Sequence, residues 1–356
     1  MRFSAIVREA LANILSGTSR AIVYFCLAVV VCGGLVLADA LSVRGLIDEA
    51  VRYQQVGAST RTVIAPGRID GAACEALRRA DGVLEAGAVR KRVKEYSLPA
   101  VPNSPVPGYD VTPSFPLAPA GPSSGLLISS EVADMLRLAP GDGFAVDADE
   151  ASVAGAFDYP LDGRRAGFGW SILAVVPERG IFDECWVKVW PENEDLRTQL
   201  LQIVLPARGD AKADAPEISQ LNQTLGRSFT GRNRFDDRIT RFAVPLVFAA
   251  GFGAAFLAVR TRRLEVASNM HAGARKRSIL IQLTVEMLVW AFPVAVLIWL
   301  SGFALAAGIP PDDATHLRWQ QGIGAGAFLL GALLGTAASV LSVNETHFFR
   351  YFKDRA

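Results

Sequence analysis

The chain has 356 residues, 51% of them apolar, and 36 Lys and Arg offset 35 Asp and Glu to leave a net charge of +1. That balance excludes the basic surplus expected of a nucleic-acid binder. The apolar residues gather at the two ends and leave a polar middle, the pattern of a membrane protein with one large soluble insert.

Residues 1–20 form a short basic lead with Arg2, Arg8 and Arg20. Ala21–Ala40 is an apolar run ended by Asp39 and followed by Arg44, Asp48 and Glu49. About 20 apolar residues cross a ~30 Å hydrocarbon core, and the run exceeds the ~7–15 residues of a signal-peptide core. We therefore read 21–42 as a first span. LIDEAVRYQQV keeps helical periodicity and extends the span as a stalk to about residue 56.

Residues 43–238 are long enough for a core of their own. Thr60–Ile64 reads as a strand ended by the Pro66–Gly67 turn, Ile69–Arg79 as a helix with Asp70 near its cap, and VLEAGAVRKRVKEYSL as strand material. Pro99–Pro122 holds eight prolines in twenty-four residues. This composition predicts an extended loop outside the core. Leu126–Ile128 then reads as a strand, Ser130 as the cap of a helix over Glu131–Leu138, and Pro140–Gly143 as a turn into a strand at Phe144–Val146. Ser171–Val176, Cys185–Trp190 and Gln202–Leu205 add strands, and Asp195–Leu201 a helix. The insert is a mixed α+β domain. It contains Cys74 and Cys185, for which a disulfide and two unrelated buried thiols are both open readings.

Three further spans follow, at 239–259, 287–307 with Pro293 inside, and 320–343, which is rich in Gly and Ala and suited to close helix packing. A loop at 308–319 and a tail at 344–356 complete the sequence. Lys and Arg accumulate on the cytoplasmic side of membrane spans. Arg2, Arg8 and Arg20, the segment 260–277, and Arg350, Lys353 and Arg355 therefore lie inside, with both termini. The insert and the 308–319 loop lie outside, despite Arg227, Arg232, Arg234 and Arg238 ahead of the second span. Long translocated domains cross largely regardless of charge.

The segment 260–286 is the candidate site. RTRRLEVASNMHAGARKR carries six Lys and Arg against one acid, Glu265. With helical spacing, Val266, Met270 and Ile279 offer apolar contacts while Arg262, Arg263, Arg275 and Arg277 face a partner or lipid phosphates. Glu286, four residues after Gln282, is an acid near a span within reach of the basic loop. No phosphate-binding G-x-x-x-x-G-K-[ST] loop occurs, and the three histidines are scattered. We expect no catalytic residue, no metal site and no cofactor on this chain.

These residues in order, Arg262-Arg263-x-Glu265, then Gly273-Ala274-Arg275-Lys276-Arg277, then Ile279, Gln282 and Glu286 leading into a span, resemble the permease subunits of the MacB/FtsX/LolE type of ABC transporter. Met270 stands where that family commonly has a basic residue. REALANILSGTSRAIVYF resembles the amphipathic helix before the family's first span, and GLLISSEVADMLRLAPGDGFAV resembles its external strand–helix–turn–strand. The resemblance implies four transmembrane helices in a 1+3 arrangement, with the α+β domain between the first two. It implies ATPase coupling through Arg262, Arg263, Glu265, Gly273, Ala274, Arg275, Arg277 and Glu286. It also implies a partner ATPase dimer carrying ATP and Mg, a second permease copy or paralogue, and a delivery or effector protein at the outer face. The implied location is the bacterial cytoplasmic (inner) membrane, and the implied function is moving a peptide, lipoprotein or amphiphile. Regulation of a cell-wall enzyme within the same architecture, and a receptor or anchor without an ATPase, are the alternatives.

Overall fold

The computed structural model describes residues 3–100, 102–118, 125–147, 149–192, 195–207 and 214–343. The expectations for Arg2, for residues 119–122 of the proline-rich stretch and for the tail at 344–356 lie outside them. In chain order the structure has helices α1 (Phe3–Leu15) and α2 (Ala21–Gln55), strand β1 (Thr60–Asp70), helix α3 (Gly71–Ala76), strands β2 (Val83–Lys91), β3 (Gly108–Val111) and β4 (Leu126–Ser129), and helix α4 (Ser130–Leu136). Next come β5 (Gly143–Val146), β6 (Asp149–Phe157), β7 (Ile172–Val175), β8 (Ile181–Val189), α5 (Leu196–Gln202) and β9 (Glu217–Gln220). The helices α6 (Gly231–Asp236), α7 (Ile239–Arg260), α8 (Arg263–His271), α9 (Lys276–Leu305) and α10 (Pro311–Ser342) follow. Two compact units result: one holds the chain up to Glu49 and from Thr230 onward, the other Ala50–Phe229.

In the helical unit, α2, α7, α9 and α10 are each long and apolar enough to cross a membrane. Their shared core contains Cys32, Val36, Val247, Trp290, Val294 and Phe328. Large apolar side chains such as Ile22, Val30, Leu246, Phe292 and Leu330 stay exposed on the unit, as lipid-facing residues do. Close packing of α7 on α10 depends on glycine. A Cβ at Gly331 would lie 2.2 Å from the Phe248 carbonyl oxygen, and one at Gly335 equally close to that of Phe252. Only a residue without a side chain lets the two backbones come this close. The helix α9 continues through Pro293, and α2 contains a π-helical turn at Val29–Gly33.

The helix that carries the expected third span begins at Lys276, ahead of residue 287, so Glu286 sits inside α9. The loop expected at 308–319 is mostly helix, since α10 starts at Pro311 with Asp312 and Asp313 in its first turn. Proline presets the first helical φ and acids favour a helix N-terminus, so IPPDD is a start signal rather than a loop. Asp39 lies inside α2, which runs on to Gln55.

The other unit is built on a nine-stranded sheet in the order β5-β6-β4-β7-β3-β2-β8-β1-β9. Pairs β3–β7 and β4–β6 are parallel and the remaining neighbours antiparallel. Strand β8 is buried on both faces: Cys185 and Val187 join one core with Val63, Ile69 and Leu200, while Trp186 joins another with Phe115, Phe168 and Leu173. Asp70 caps α3 by accepting from the amides of Ala72 and Ala73, and α3 brings Cys74 to Cys185, with Cα atoms 6.0 Å apart and the sulfurs bonded.

The proline-rich stretch is not a loop outside the core. Its residues Gly108–Val111 form β3 between β7 and β2, and Val106, Val111 and Phe115 are buried. The prolines bracket that strand and leave its donors free, and the Pro107 carbonyl itself accepts from the Ile172 amide. Phe115 crosses β2 so closely that a Cβ at Gly87 would sit 2.4 Å from its Cα.

Pro66–Gly67 does not end β1 either. The strand resumes pairing with β8 at Ile69 after a register shift, with Gly67 at φ +64, and a bulge is where a strand tolerates both residue types. Gln202–Leu205 is no strand: Gln202 ends α5 and Val204 makes a single bridge to Ile69. The buried Leu196, Leu200 and Ile203 recur at helical spacing there. Ser130 does not cap α4; Ser129 precedes the helix, and the Ser130 hydroxyl bonds Phe157 O and Asp158 instead.

Candidate functional site

The segment after α7 turns back on itself within a few residues. The helix α8 buries Val266, Ala267 and Met270 against Val259, Ile279, Leu283, Val340 and Val343. It ends where the Gly273 amide bonds Met270 O and the Ala274 amide bonds Asn269 O, with Gly273 at φ +91. That left-handed conformation is the one glycine supplies at a helix C-terminus. Arg275 then precedes the first turn of α9 in an extended conformation.

The polar centre of the site is Arg262. Its side chain is not turned toward a partner or lipid, as its sequence position suggested; it is only 12% exposed. The guanidinium donates to Glu265 at 2.6 and 2.9 Å and also to Glu286. Glu286, 4% exposed, accepts in addition from Asn13 of α1 at 2.8 Å. Gln282 lies one turn earlier on α9, its amide 3.5 Å from the same carboxylate. Burial works against the charge on Arg262, but its bonds to Glu265 and the nearby Glu286 outweigh that cost and hold its pKa above the ordinary arginine value. An arginine fork satisfying two carboxylates is a stiff joint, because each partner fixes the other's rotamer.

The structure thus brings together Arg262, Glu265 and Glu286, and adds Asn13, which sequence reading missed. Asparagine in an amphipathic helix carries no signal of a partner some 270 residues away, here a separation of 273. Arg275 and Arg277 are not part of this cluster and stay exposed beside Gly273. Arg263 is half-buried, and Ala274 packs at the edge of the apolar cluster. Met270 is buried among apolar side chains, where a basic residue would be costly.

A second polar cluster lies at the other end of α7. Asp39 of α2 is 4% exposed and accepts from Arg238, just before α7, at 3.0 Å and from Gln320 of α10. Arg238 also stacks on Phe235, 3.8 Å from the ring centre. Arg238 precedes α7 and Arg262 follows it, so one clasp stands at each end of that helix. Asp39 reads in the sequence only as the end of an apolar run; its partner on the fourth long helix makes it an internal contact. Among the described residues no three His, Cys, Asp or Glu side chains gather as metal ligands would.

No family model and no curated protein matches the chain. Among solved structures, the periplasmic region of MacB from Actinobacillus actinomycetemcomitans aligns over 52% of this chain and 96% of its own length, with 7% identity and a TM-score of 0.34. That likeness is too loose to assign a function. Taken by itself, the structure defines a chain with four membrane-capable helices and one mixed α/β unit.

Proposed function

We propose that the chain is the permease subunit of an ABC transporter, coupling ATP hydrolysis by a separate ATPase to movement of its α/β unit outside the membrane. The observation that carries the reading is the α8–turn–α9 arrangement. A short helix and a glycine turn present exposed Arg275 and Arg277, while Arg262 and Glu286 tie the same segment to α7, α9 and α1. A force applied to the exposed residues passes into three helices through hydrogen-bonded, buried groups rather than through a mobile tether. The sequence resemblance given above supplies the class of partner: a dimeric ATPase holding ATP and Mg. In this reading a pair of permeases moves a peptide, lipoprotein or amphiphile at the outer face of a bacterial inner membrane, with both termini inside.

The test uses the full chain in nanodiscs with whichever ABC ATPase is found encoded beside its gene. ATP turnover by that ATPase should rise on adding the permease, and the Glu265→Ala, Arg275→Ala double variant should lose the rise while remaining folded, as a cooperative melting transition shows. Unchanged stimulation in the double variant removes these residues from coupling. A missing ATPase neighbour would favour the receptor or anchor instead.

A further inference from the structure

The geometry points to a peptide-binding groove in the α/β unit, between α5 and the free edge of β9, that takes an extended segment with an acidic end by adding it to the sheet as a further strand. The site does not depend on the permease reading. Strand β9 is the last in the sheet order, and among the described residues it pairs only with β1. Its Leu221 neighbour donates to Thr60 O, which sets the register: Ser219 and Glu217 bond toward β1, and the main-chain N–H and C=O of Ile218 and Gln220 point away from it. Among the described residues these outward groups have no partner. An unpaired edge is a template for another strand.

The edge does not open onto bare solvent. A cavity of about 800 Å³ lies along it, walled on the other side by α5. Leu201 of α5 and Ile218 of β9 give it apolar surface. Main-chain hydrogen bonds for affinity and alternate side-chain contacts for selectivity are the requirements of strand addition. A four-residue strand at ~3.4 Å per residue offers about 14 Å of edge.

The two ends of the groove differ in charge. Arg61 pairs with Gln220 in the sheet register and with Glu192 by an ion pair, and it donates to Arg227 O at 2.6 Å. Arg197, in the first turn of α5, and Arg227 lie with it on the cavity wall. Both are exposed, and neither makes an ion pair among the described residues. Glu217 marks the opposite end of β9. Carboxylates at one end of the incoming segment therefore meet the guanidinium groups of Arg197 and Arg227, while Glu192 is engaged by Arg61 and Glu217 stands at the other end.

The test measures fluorescence anisotropy with full-length protein in nanodiscs and a labelled octapeptide of alternating Thr and Val closing in two Glu. Saturable binding is expected. N-methylation of alternate peptide amides, exchange of the two Glu for Lys, and the Arg197→Glu, Arg227→Glu variant should each weaken it by roughly tenfold or more. An unchanged melting temperature shows that the variant is folded. Equal binding of the N-methylated peptide, indifference to both charge changes, or no saturable binding overturns the proposal. Disulfide-linked dimers through Glu217→Cys that block the peptide would assign the edge to a second copy. Binding of laurate without either peptide would assign the groove to an amphiphile, and either result overturns the peptide site.

Discussion

Arg262 illustrates what one residue does when a buried carboxylate, Glu286, and a partly exposed one, Glu265, both meet it. Removing one partner of a buried pair leaves an uncompensated charge, at a cost of about 3 kcal/mol. Arg262→Met should therefore lower the unfolding free energy by roughly that amount, Glu286→Gln by less because an amide still accepts from Asn13, and the double variant by less than their sum. A double-mutant cycle on detergent-solubilised protein measures this, and strict additivity would show that the pair is not coupled. Tyr159 provides a residue-scale pH test in the other unit. Burial pushes its hydroxyl up to about 12 from an ordinary 10.0, and it donates to Arg165 O. The folded form thus keeps a proton that the unfolded form has lost, so stability falls as pH rises past about 10 and levels off above about 12. Tyr159→Phe should remove that part of the alkaline loss, read from denaturant midpoints across the range.

At the scale of elements, the α7–α10 contact is backbone against backbone. The residues Gly331 and Gly335 leave room for nothing larger, since an added Cβ would fall 2.2 Å from a carbonyl oxygen. Gly331→Leu should part the two helices and cost about 1–3 kcal/mol or more. Cysteine cross-linking between α7 and α10 should then slow, whereas Gly326→Leu, with open space at its Cβ, should leave it unchanged. The small-residue run of α10 announced this packing in the sequence. The strand β6 was harder to see: Val153, Gly155 and Phe157 are buried at period two, but small residues with weak strand preference dilute the alternation. The strand β3 was concealed by the opposite effect. Its flanking prolines carry the strongest loop signal in the chain, yet they fall where no strand donor is needed.

For the whole molecule, the basic segments predict an orientation that labelling can test. With Cys26 and Cys32 replaced, an impermeant maleimide should reach Arg275→Cys only from inverted vesicles. It should reach a cysteine at the fully exposed Val93 only from the outer side. The same side for both positions would reject the arrangement.

Sequence alone determined the four long apolar helices, the α/β insert and the basic turn after α7, because hydrophobic run length, charge distribution and glycine placement act locally. Tertiary structure alone decided that Arg262 points inward, that Asn13 and Glu286 share a bond, that Asp39 binds Arg238 and Gln320, and that Phe115 lies on Gly87. Each of these joins residues far apart in the chain, and a polar side chain's type does not say which distant group will satisfy it once water is removed.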